Sequence, residues 1–138
     1  MQAHLIFWPV LAVLAIPVFV LTLNAKRKAE VRKTGKVDPQ SVIDNTAWPL
    51  PVVLTSNALA NQFQLPVVFY VLCFILFAID RVGTLAMTLA WVFVVTRWAH
   101  AIVHVSTNAI PLRLSSFLLS TLSLFVFFAV TVLAMMKL

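Results

Sequence analysis

The chain has 138 residues, of which 62% are apolar and 10% are charged, and its formal net charge is +6. Soluble domains carry about 25% charged and about 45–50% apolar residues. This composition therefore excludes a soluble globular enzyme, a disordered chain and a nucleic-acid binder. A single cysteine excludes a disulfide framework or a cysteine-based zinc site. The length and composition predict one membrane domain over residues 1–138.

Four apolar stretches alternate with the charged residues, at 5–23, 54–79, 84–105 and 114–136. A hydrocarbon core of about 30 Å needs about 20 helical residues, and these stretches contain 19, 26, 22 and 23 residues. They lack the alternating pattern of lipid-exposed strands, so helices are the expected structure. The sequence predicts an all-α fold, a transmembrane four-helix bundle.

The first apolar stretch is similar in length to a secretory signal peptide. No basic region precedes it, no small-residue cleavage site follows it, and the basic residues come after it. We therefore expect it to be a retained helix, extended as a helix near residues 26–33.

Most of the charge lies in the connection between the first two stretches. Residues 24–53 hold nine of the 14 charged residues, six of them basic. Because Lys- and Arg-rich loops stay in the cytoplasm, residues 24–53 are predicted to be a cytoplasmic loop and both termini to lie outside. This topology predicts a multi-pass protein of the cell inner membrane in contact with lipid. An alternative is that the basic cluster binds anionic lipid or nucleic acid.

Polar residues inside the second and third stretches lie at similar depths. Asn61 is seven residues from the start of its stretch, about 10 Å deep, and Arg97 is eight residues from the end of its own, about 12 Å deep. Gln64 and His100 lie next to them in sequence, and Arg113 precedes the fourth stretch. The sequence therefore predicts a polar layer on the cytoplasmic side.

Helical spacing supports this convergence. Asn57, Asn61 and Gln64 follow an i, i+4, i+7 pattern, which places them on one helix face, whereas Gln62 falls off that face. Three residues of the third stretch share a face in the same way: Arg97, His100 and His104. Polar groups in a bilayer must satisfy one another, so both faces are expected to point into the bundle.

The polar layer contains no acid, because none of the four stretches contains Asp or Glu. Two interpretations of Arg97 follow. In the first, oxygens of Asn61 and Gln64 satisfy it, or it reaches the membrane interface. In the second, Arg97 and Arg113 form an anion site that receives a carboxylate or thiolate from a ligand.

The histidine pair raises the question of a metal. His100 and His104 have the i, i+4 spacing with which two imidazoles can share one ion. No third ligand is expected at a suitable depth on a facing segment, so no metal site is predicted.

Two motifs resemble those of the membrane-associated eicosanoid and glutathione metabolism (MAPEG) family. Residues 61–70, NQFQLPVVFY, resemble its second-helix motif, and Arg97-Trp-Ala-His100 with Pro111-Leu-Arg113 resembles its third- and fourth-helix signature. The resemblance covers roughly residues 50–137.

The resemblance implies a homotrimer with glutathione, the cosubstrate, bound between protomers on the cytoplasmic side. It implies that Asn61, Gln64, Arg97 and His100 hold the tripeptide and that Arg113 stabilises its thiolate as the catalytic residue. His104 takes a position where the family often has tyrosine and completes the candidate substrate-binding set.

The chain also departs from the family pattern. A helix-two arginine of glutathione-binding members falls on Ala60, and their glutamate falls on Gln64. A serine after the catalytic arginine is Leu114, and an aromatic hydroxyl is replaced by Phe117. These changes remove expected partners of a ligand carboxylate and a ligand ammonium group.

Three functions stay open on the sequence. One is a glutathione transferase or peroxidase that conjugates glutathione or a related thiol to lipophilic electrophiles. Another is a non-catalytic structural or lipid-binding membrane protein with a degenerate glutathione site. A small proton-coupled carrier is disfavoured because the membrane segments lack a carboxylate.

Overall fold

A computed structural model describes residues 2–137, and every regular element in that range is helical. The five α-helices are α1 (Phe7–Lys33), α2 (Leu50–Ala60), α3 (Leu65–Ala78), α4 (Thr84–Val105) and α5 (Ile110–Met135). Short 3₁₀ helices occur at Ala3–Ile6, Pro39–Val42, Asn45–Ala47 and Asn61–Phe63. The all-α prediction is confirmed for the part of the chain that the structure describes.

Four helical segments are long and apolar enough to cross a membrane. They are Ala3–Lys33, Leu50–Ala78, Thr84–Val105 and Ile110–Met135, so α2 and α3 together make the second span. The predicted transmembrane four-helix bundle is therefore confirmed, and the protein is a multi-pass membrane protein. Which side each terminus faces stays a prediction.

Helix α1 continues well past the apolar stretch that begins it. It ends at Lys33 and is followed by Gly35, whose φ of +67° is the left-handed conformation that glycine adopts most readily. Residues 24–33 are thus helical, where the sequence predicts an extension, and the connection to α2 is reduced to residues 34–49.

Two aspartates organise this connection. Asp38 Oδ1 accepts a hydrogen bond from the Gln40 amide, and Asp44 Oδ1 accepts one from the Thr46 amide, each at 2.8 Å. Each carboxylate thereby caps the 3₁₀ helix that follows it. The Thr46 hydroxyl and amide both donate to Asp44, and these bonds lower the pKa of the Asp44 carboxyl below its ordinary value.

Trp48 fixes the end of the connection against α1. Its indole nitrogen donates to the Ser41 carbonyl at 3.0 Å, and its ring lies 5.2 Å from the Lys28 ammonium and 5.8 Å from the Arg32 guanidinium. Cation–π attraction therefore holds the loop on the basic extension of α1.

The second span is broken between α2 and α3. Pro66 has no amide hydrogen, and its ring would clash with the Gln62 carbonyl in a continuous helix. The chain forms a 3₁₀ turn over residues 61–63, and Gln64 follows with φ −107° and ψ −105°. This break changes the helical phase between Asn61 and Pro66.

Aromatic packing forms the dry part of the core. Phe69 of α3 stacks on Phe93 of α4 with ring centroids 4.5 Å apart, and Phe127 of α5 lies 5.8 Å from Phe69. All three side chains are almost completely buried. Three helices therefore meet in one aromatic cluster.

Helix α1 packs on the bundle through an apolar stripe. Val13, Ile16 and Val20 are completely buried, at a spacing that places them on one helix face, and Ile6 of the preceding 3₁₀ helix is completely buried as well. Farther along the same helix, the Asn24 amide donates to the Thr55 hydroxyl at 2.8 Å. This contact joins α1 to α2 inside the bundle.

Arg27 of α1 connects this helix to both α2 and α4. Its guanidinium donates to the carbonyl of Pro51 at the start of α2 and to that of Val105 at the end of α4, each at 2.8 Å. A cation at the carbonyl end of a helix is stabilised by the helix dipole. We call this contact the Arg27 clasp, because it holds three helices together at one end of the bundle.

Candidate functional site

Among the residues that the structure describes, Arg97 is the largest fully buried side chain, at 1% exposure. Its Nη2 donates to the backbone carbonyl of Asn61 at 3.0 Å and to Gln62 Oε1 at 3.3 Å. Asn61 and Gln62 lie in the turn that breaks the second span, so the break supplies Arg97 with its acceptors. Among residues 2–137, Arg97 Nε finds no hydrogen-bond partner.

The positions of the two glutamines differ from the helical-phase prediction. Gln62 is 2% exposed and binds Arg97, whereas Gln64 is exposed on the outer surface of the chain. The prediction that Gln64 shares the inward face and Gln62 does not is wrong, because it assumed a continuous helix. The turn before Pro66 rotates the chain between these residues.

The two histidines lie on the inward face of α4, as the sequence predicts. His100 Nδ1 lies 3.0 Å from the carbonyl of Arg113, so Nδ1 must carry a proton to donate this bond. His104 Nδ1 lies 3.4 Å from Asn61 Nδ2. Their rings are 5.7 Å apart. Within the described residues, no group of three metal-ligating side chains forms around them.

Arg113 lies in the first turn of α5 and is partly buried. Its Nη1 donates to Asn108 Oδ1 at 2.6 Å, a short charge-assisted hydrogen bond. Asn108 belongs to the short connection between α4 and α5. The side chain of Arg113 is thus held from the loop that precedes its own helix.

These groups surround a cavity of about 370 Å³ between α2, α4 and α5. Its lining is Asn57, Asn61, His100, His104, Ile110, Arg113, Leu114 and Phe117. Four predicted site residues, Asn61, His100, His104 and Arg113, therefore share one cavity. Arg97 bonds to the Asn61 carbonyl and does not line the cavity, and Gln64 does not line it either.

Sequence reasoning missed two residues of this region. Gln62 is predicted to lie off the inward face of the second span, and Asn108 is not among the predicted site residues. A signal for Asn108 exists, since asparagine adopts the left-handed conformation more readily than most residues and is common where helices end.

The lining has a defined chemistry. One guanidinium, two imidazoles and two amides face the cavity, and no carboxylate is among the lining residues. Such a set offers hydrogen-bond donors and one positive charge, which suits a polar ligand that carries a carboxylate or a thiolate.

An apolar groove lies beside this cavity, with a volume of about 240 Å³. Leu65, Val68, Thr121, Leu124, Phe125 and Phe128 line it. Thr121 follows the cavity residue Phe117 by four residues, as Leu65 follows Asn61. Along α5, the groove therefore begins about one helical turn beyond the cavity, and Leu65 at the start of α3 lines it from the other side of the break.

The fold and this region define a class of protein: a multi-pass helical membrane protein with a cationic polar cavity next to an apolar groove. The chain matches the model of the MAPEG family over residues 5–133, nearly its whole length. It therefore belongs to the MAPEG family, and the resemblance that its motifs indicate is confirmed. Comparisons with curated proteins and with solved structures give no match.

Proposed function

We propose that the protein is a glutathione transferase, or a transferase for a related thiol, that acts on lipophilic electrophiles in the inner membrane. The observation that carries this proposal is the Arg113 guanidinium at a polar cavity that adjoins an apolar groove. The cavity would hold the thiol, and the groove would hold the electrophile.

Arg113 supports the thiol chemistry. A cation beside a thiol lowers the pKa of the thiol and raises the fraction of thiolate, which is the nucleophile. With a chlorinated aromatic substrate, the thiolate sulfur forms a carbon–sulfur bond and chloride leaves with the electrons of the carbon–chlorine bond. The thiol proton passes to water.

The other polar groups of the cavity would bind and orient the thiol. The Asn61 amide, with His100 and His104, lines the cavity from two helices. Arg97 would not touch the thiol. It would position Asn61, because its hydrogen bond to the Asn61 carbonyl fixes the turn that carries the Asn61 side chain. The basic extension of α1 and the positive-inside rule support a cavity on the cytoplasmic side, where thiol is available.

A homotrimer belongs to the same proposal. Gln64 and its neighbour Phe63, which is 68% exposed, lie on the outer surface of the protomer. Packing of another copy against this surface would cover Phe63 and bring Gln64 to a thiol bound between protomers. The family resemblance supports this arrangement.

A second candidate is a non-catalytic lipid-binding protein. The cavity lining has no carboxylate that could hold a ligand ammonium group, and Ala60 and Gln64 stand where glutathione-binding relatives carry arginine and glutamate. A lipid with an anionic headgroup needs neither partner. Its headgroup would meet Arg113, and an acyl chain would occupy the apolar groove.

Calorimetry and a conjugation assay separate these functions. The purified protein in mild detergent is titrated with glutathione and then supplied with a chlorinated dinitrobenzene. We expect heat of binding at millimolar thiol and steady conjugate formation. Absence of both, with retention of anionic lipid in native mass spectra, would establish the second candidate instead. Trimer mass in the same spectra tests the assembly.

The Arg113→Ala variant tests the residue that carries the proposal. Loss of one preorganised charge commonly costs about 100-fold or more in kcat, and we expect a loss of that order. The Arg81→Ala variant is the matched control, since Arg81 is an exposed arginine in the α3–α4 connection. Equal rates for the Arg113→Ala variant and the unmodified protein would contradict the assignment.

A further inference from the structure

We propose that Asn108 is a positioning residue, which holds the Arg113 guanidinium at the cavity and leaves its positive charge unneutralised. The inference rests on the proposed thiol transferase function. It adds a residue outside the cavity lining and a reason why that residue is an amide.

The backbone of Asn108 is fixed at the end of α4. Its φ is +49°, in the left-handed region, and its amide donates to the Val103 carbonyl at 2.8 Å. Asparagine and glycine adopt this conformation with less strain than other residues. The backbone position from which the Asn108 side chain extends is therefore fixed.

The side chain then connects two helices. Asn108 Oδ1 accepts from Arg113 Nη1 at 2.6 Å, which ties the end of α4 to the first turn of α5. An arginine side chain has many rotamers, and an unanchored guanidinium would occupy several of them. The bond to Asn108 selects the rotamer in which Arg113 lines the cavity.

The titratable groups around this bond are all bases. His100 and His104 of α4 line the cavity with Arg113, and Arg27 of α1 lines a depression that includes Asn108. The residues that α2 contributes to the two spaces are uncharged. Every titratable group that faces Arg113 and Asn108 here is thus a base.

An amide and a carboxylate would position Arg113 equally well but differ in charge. A carboxylate at residue 108 would form an ion pair with the guanidinium and cancel most of its effect on a thiol. The neutral oxygen of Asn108 anchors one N–H and leaves the full positive charge for the ligand. If the contact were purely structural, an amide and a carboxylate at residue 108 would have the same effect on a bound thiol. If Asn108 positions Arg113 and preserves its charge, only the amide would leave the thiol pKa lowered.

Two variants separate position from charge. The Asn108→Asp variant keeps the acceptor, the size and the left-handed tolerance, but adds a negative charge. The Asn108→Gly variant keeps the backbone conformation and removes the acceptor. Thr107→Ala, in the same exposed connection, is the matched control, and gel filtration checks that each variant has the assembly of the unmodified protein.

The readout is the pH dependence of thiolate absorbance from glutathione bound to the purified protein. We expect Asn108→Asp to raise the thiol pKa by about one unit, which is about tenfold less thiolate near neutral pH, with KM for glutathione changed less than about threefold. Asn108→Gly is expected to lower kcat and raise KM together, and Thr107→Ala to change neither.

The outcomes distinguish this inference from the function on which it rests. If the unmodified protein binds no thiol, the proposed function and the inference both fail. If it lowers the thiol pKa and Asn108→Asp lowers it equally, the inference alone is overturned. A raised thiol pKa in Thr107→Ala would also overturn it, since any change in the loop would then have the same effect.

Discussion

Arg97 and Arg113 lie in different surroundings, although Asn61 is close to both. The Asn61 carbonyl accepts from Arg97, and Asn61 lines the same cavity as Arg113. Arg97 is closed inside the bundle and bonded to the Asn61 carbonyl and to Gln62. Arg113 is partly buried, bonded to one loop amide, and faces an open cavity. The first guanidinium is surrounded by protein, and the second has space for a ligand.

This difference shows how one fold can carry one buried and one partly exposed cation near the same polar region. Neither arginine has a carboxylate partner among the contacts described, and both are held by neutral oxygens. They differ in the residues that hold them and in their degree of enclosure. The closed arginine is bonded to the break in the second span, whereas the open one lines the cavity and is the residue that we propose acts on a bound thiol.

The largest expected effect is on stability, from Arg97→Met. The substitution leaves the Asn61 carbonyl and the Gln62 amide oxygen without their donor inside the bundle. A buried unsatisfied acceptor costs about 1–3 kcal/mol, so we expect a loss of about 3 kcal/mol in the free energy of unfolding. Denaturant titration in detergent, followed by circular dichroism, measures it.

Arg113→Met is the matched control for that experiment. Arg113 is partly exposed and makes one side-chain hydrogen bond, so its loss should cost less than about 1 kcal/mol. Equal destabilisation by the two substitutions would remove the distinction between a closed and an open arginine.

The next effect concerns affinity and uses Gln64→Glu. In the family pattern that the chain resembles, a glutamate at this position anchors the ammonium group of glutathione. If protomers assemble with Gln64 next to the thiol, we expect about tenfold tighter binding, which corresponds to about 1.4 kcal/mol. Calorimetry measures this change, and Gln40→Glu, an exposed loop substitution of the same kind, is the control. An unchanged affinity would argue against Gln64 as a ligand contact.

Asn24→Ala tests a second closed polar contact. It removes the bonds to the Thr55 and Ser56 hydroxyls at 2.8 and 2.9 Å, which join α1 to α2. Hydrogen bonds between membrane helices are worth about 0.6 kcal/mol on average, so we expect a loss of about 1 kcal/mol. Thr22→Val is the comparison, because the Thr22 hydroxyl bonds only within its own helix at Val18. Equal losses would show that the contact between helices adds nothing.

The smallest effect is expected at Asp44, in the exposed connection. Hydrogen bonds from Thr46 lower the pKa of its carboxyl below 3.8 in the folded protein. Its stabilising contribution is therefore complete above pH 3.8 and is lost as the pH falls through the lowered value. Amide exchange of Thr46 should accelerate relative to neighbours over that acidic range, after correction for intrinsic rates. Asp44→Asn should lose this pH dependence, and its persistence there would contradict the assignment.

Much of the fold could be predicted from composition and hydropathy alone. The four apolar stretches correspond to the four spans, because a membrane requires long helices with satisfied backbones. The extent of α1 through Lys33 follows from local helix propensity rather than from hydropathy. The place where α1 ends depends on Gly35 and a left-handed turn, which a hydropathy pattern does not report.

The candidate site was harder to predict, for a reason visible at residues 61–66. The spacing on α4 placed His100 and His104 correctly, because that helix is continuous. The spacing on the second span failed for Gln62 and Gln64, because Pro66 breaks the helix and resets its phase. Where an apolar stretch contains a proline, the inward-facing residues before it and after it should therefore be predicted separately.

The Arg27 clasp has a consequence for the synthesis of this protein. It joins residues 78 positions apart, Arg27 and Val105. Chains grow at about 5–20 residues per second, so Val105 is added about 4–16 seconds after Arg27. During that interval the first two spans can enter the bilayer, but the end of α1 has no helix α4 to bind. The clasp therefore closes late in biogenesis, after the third span has been made.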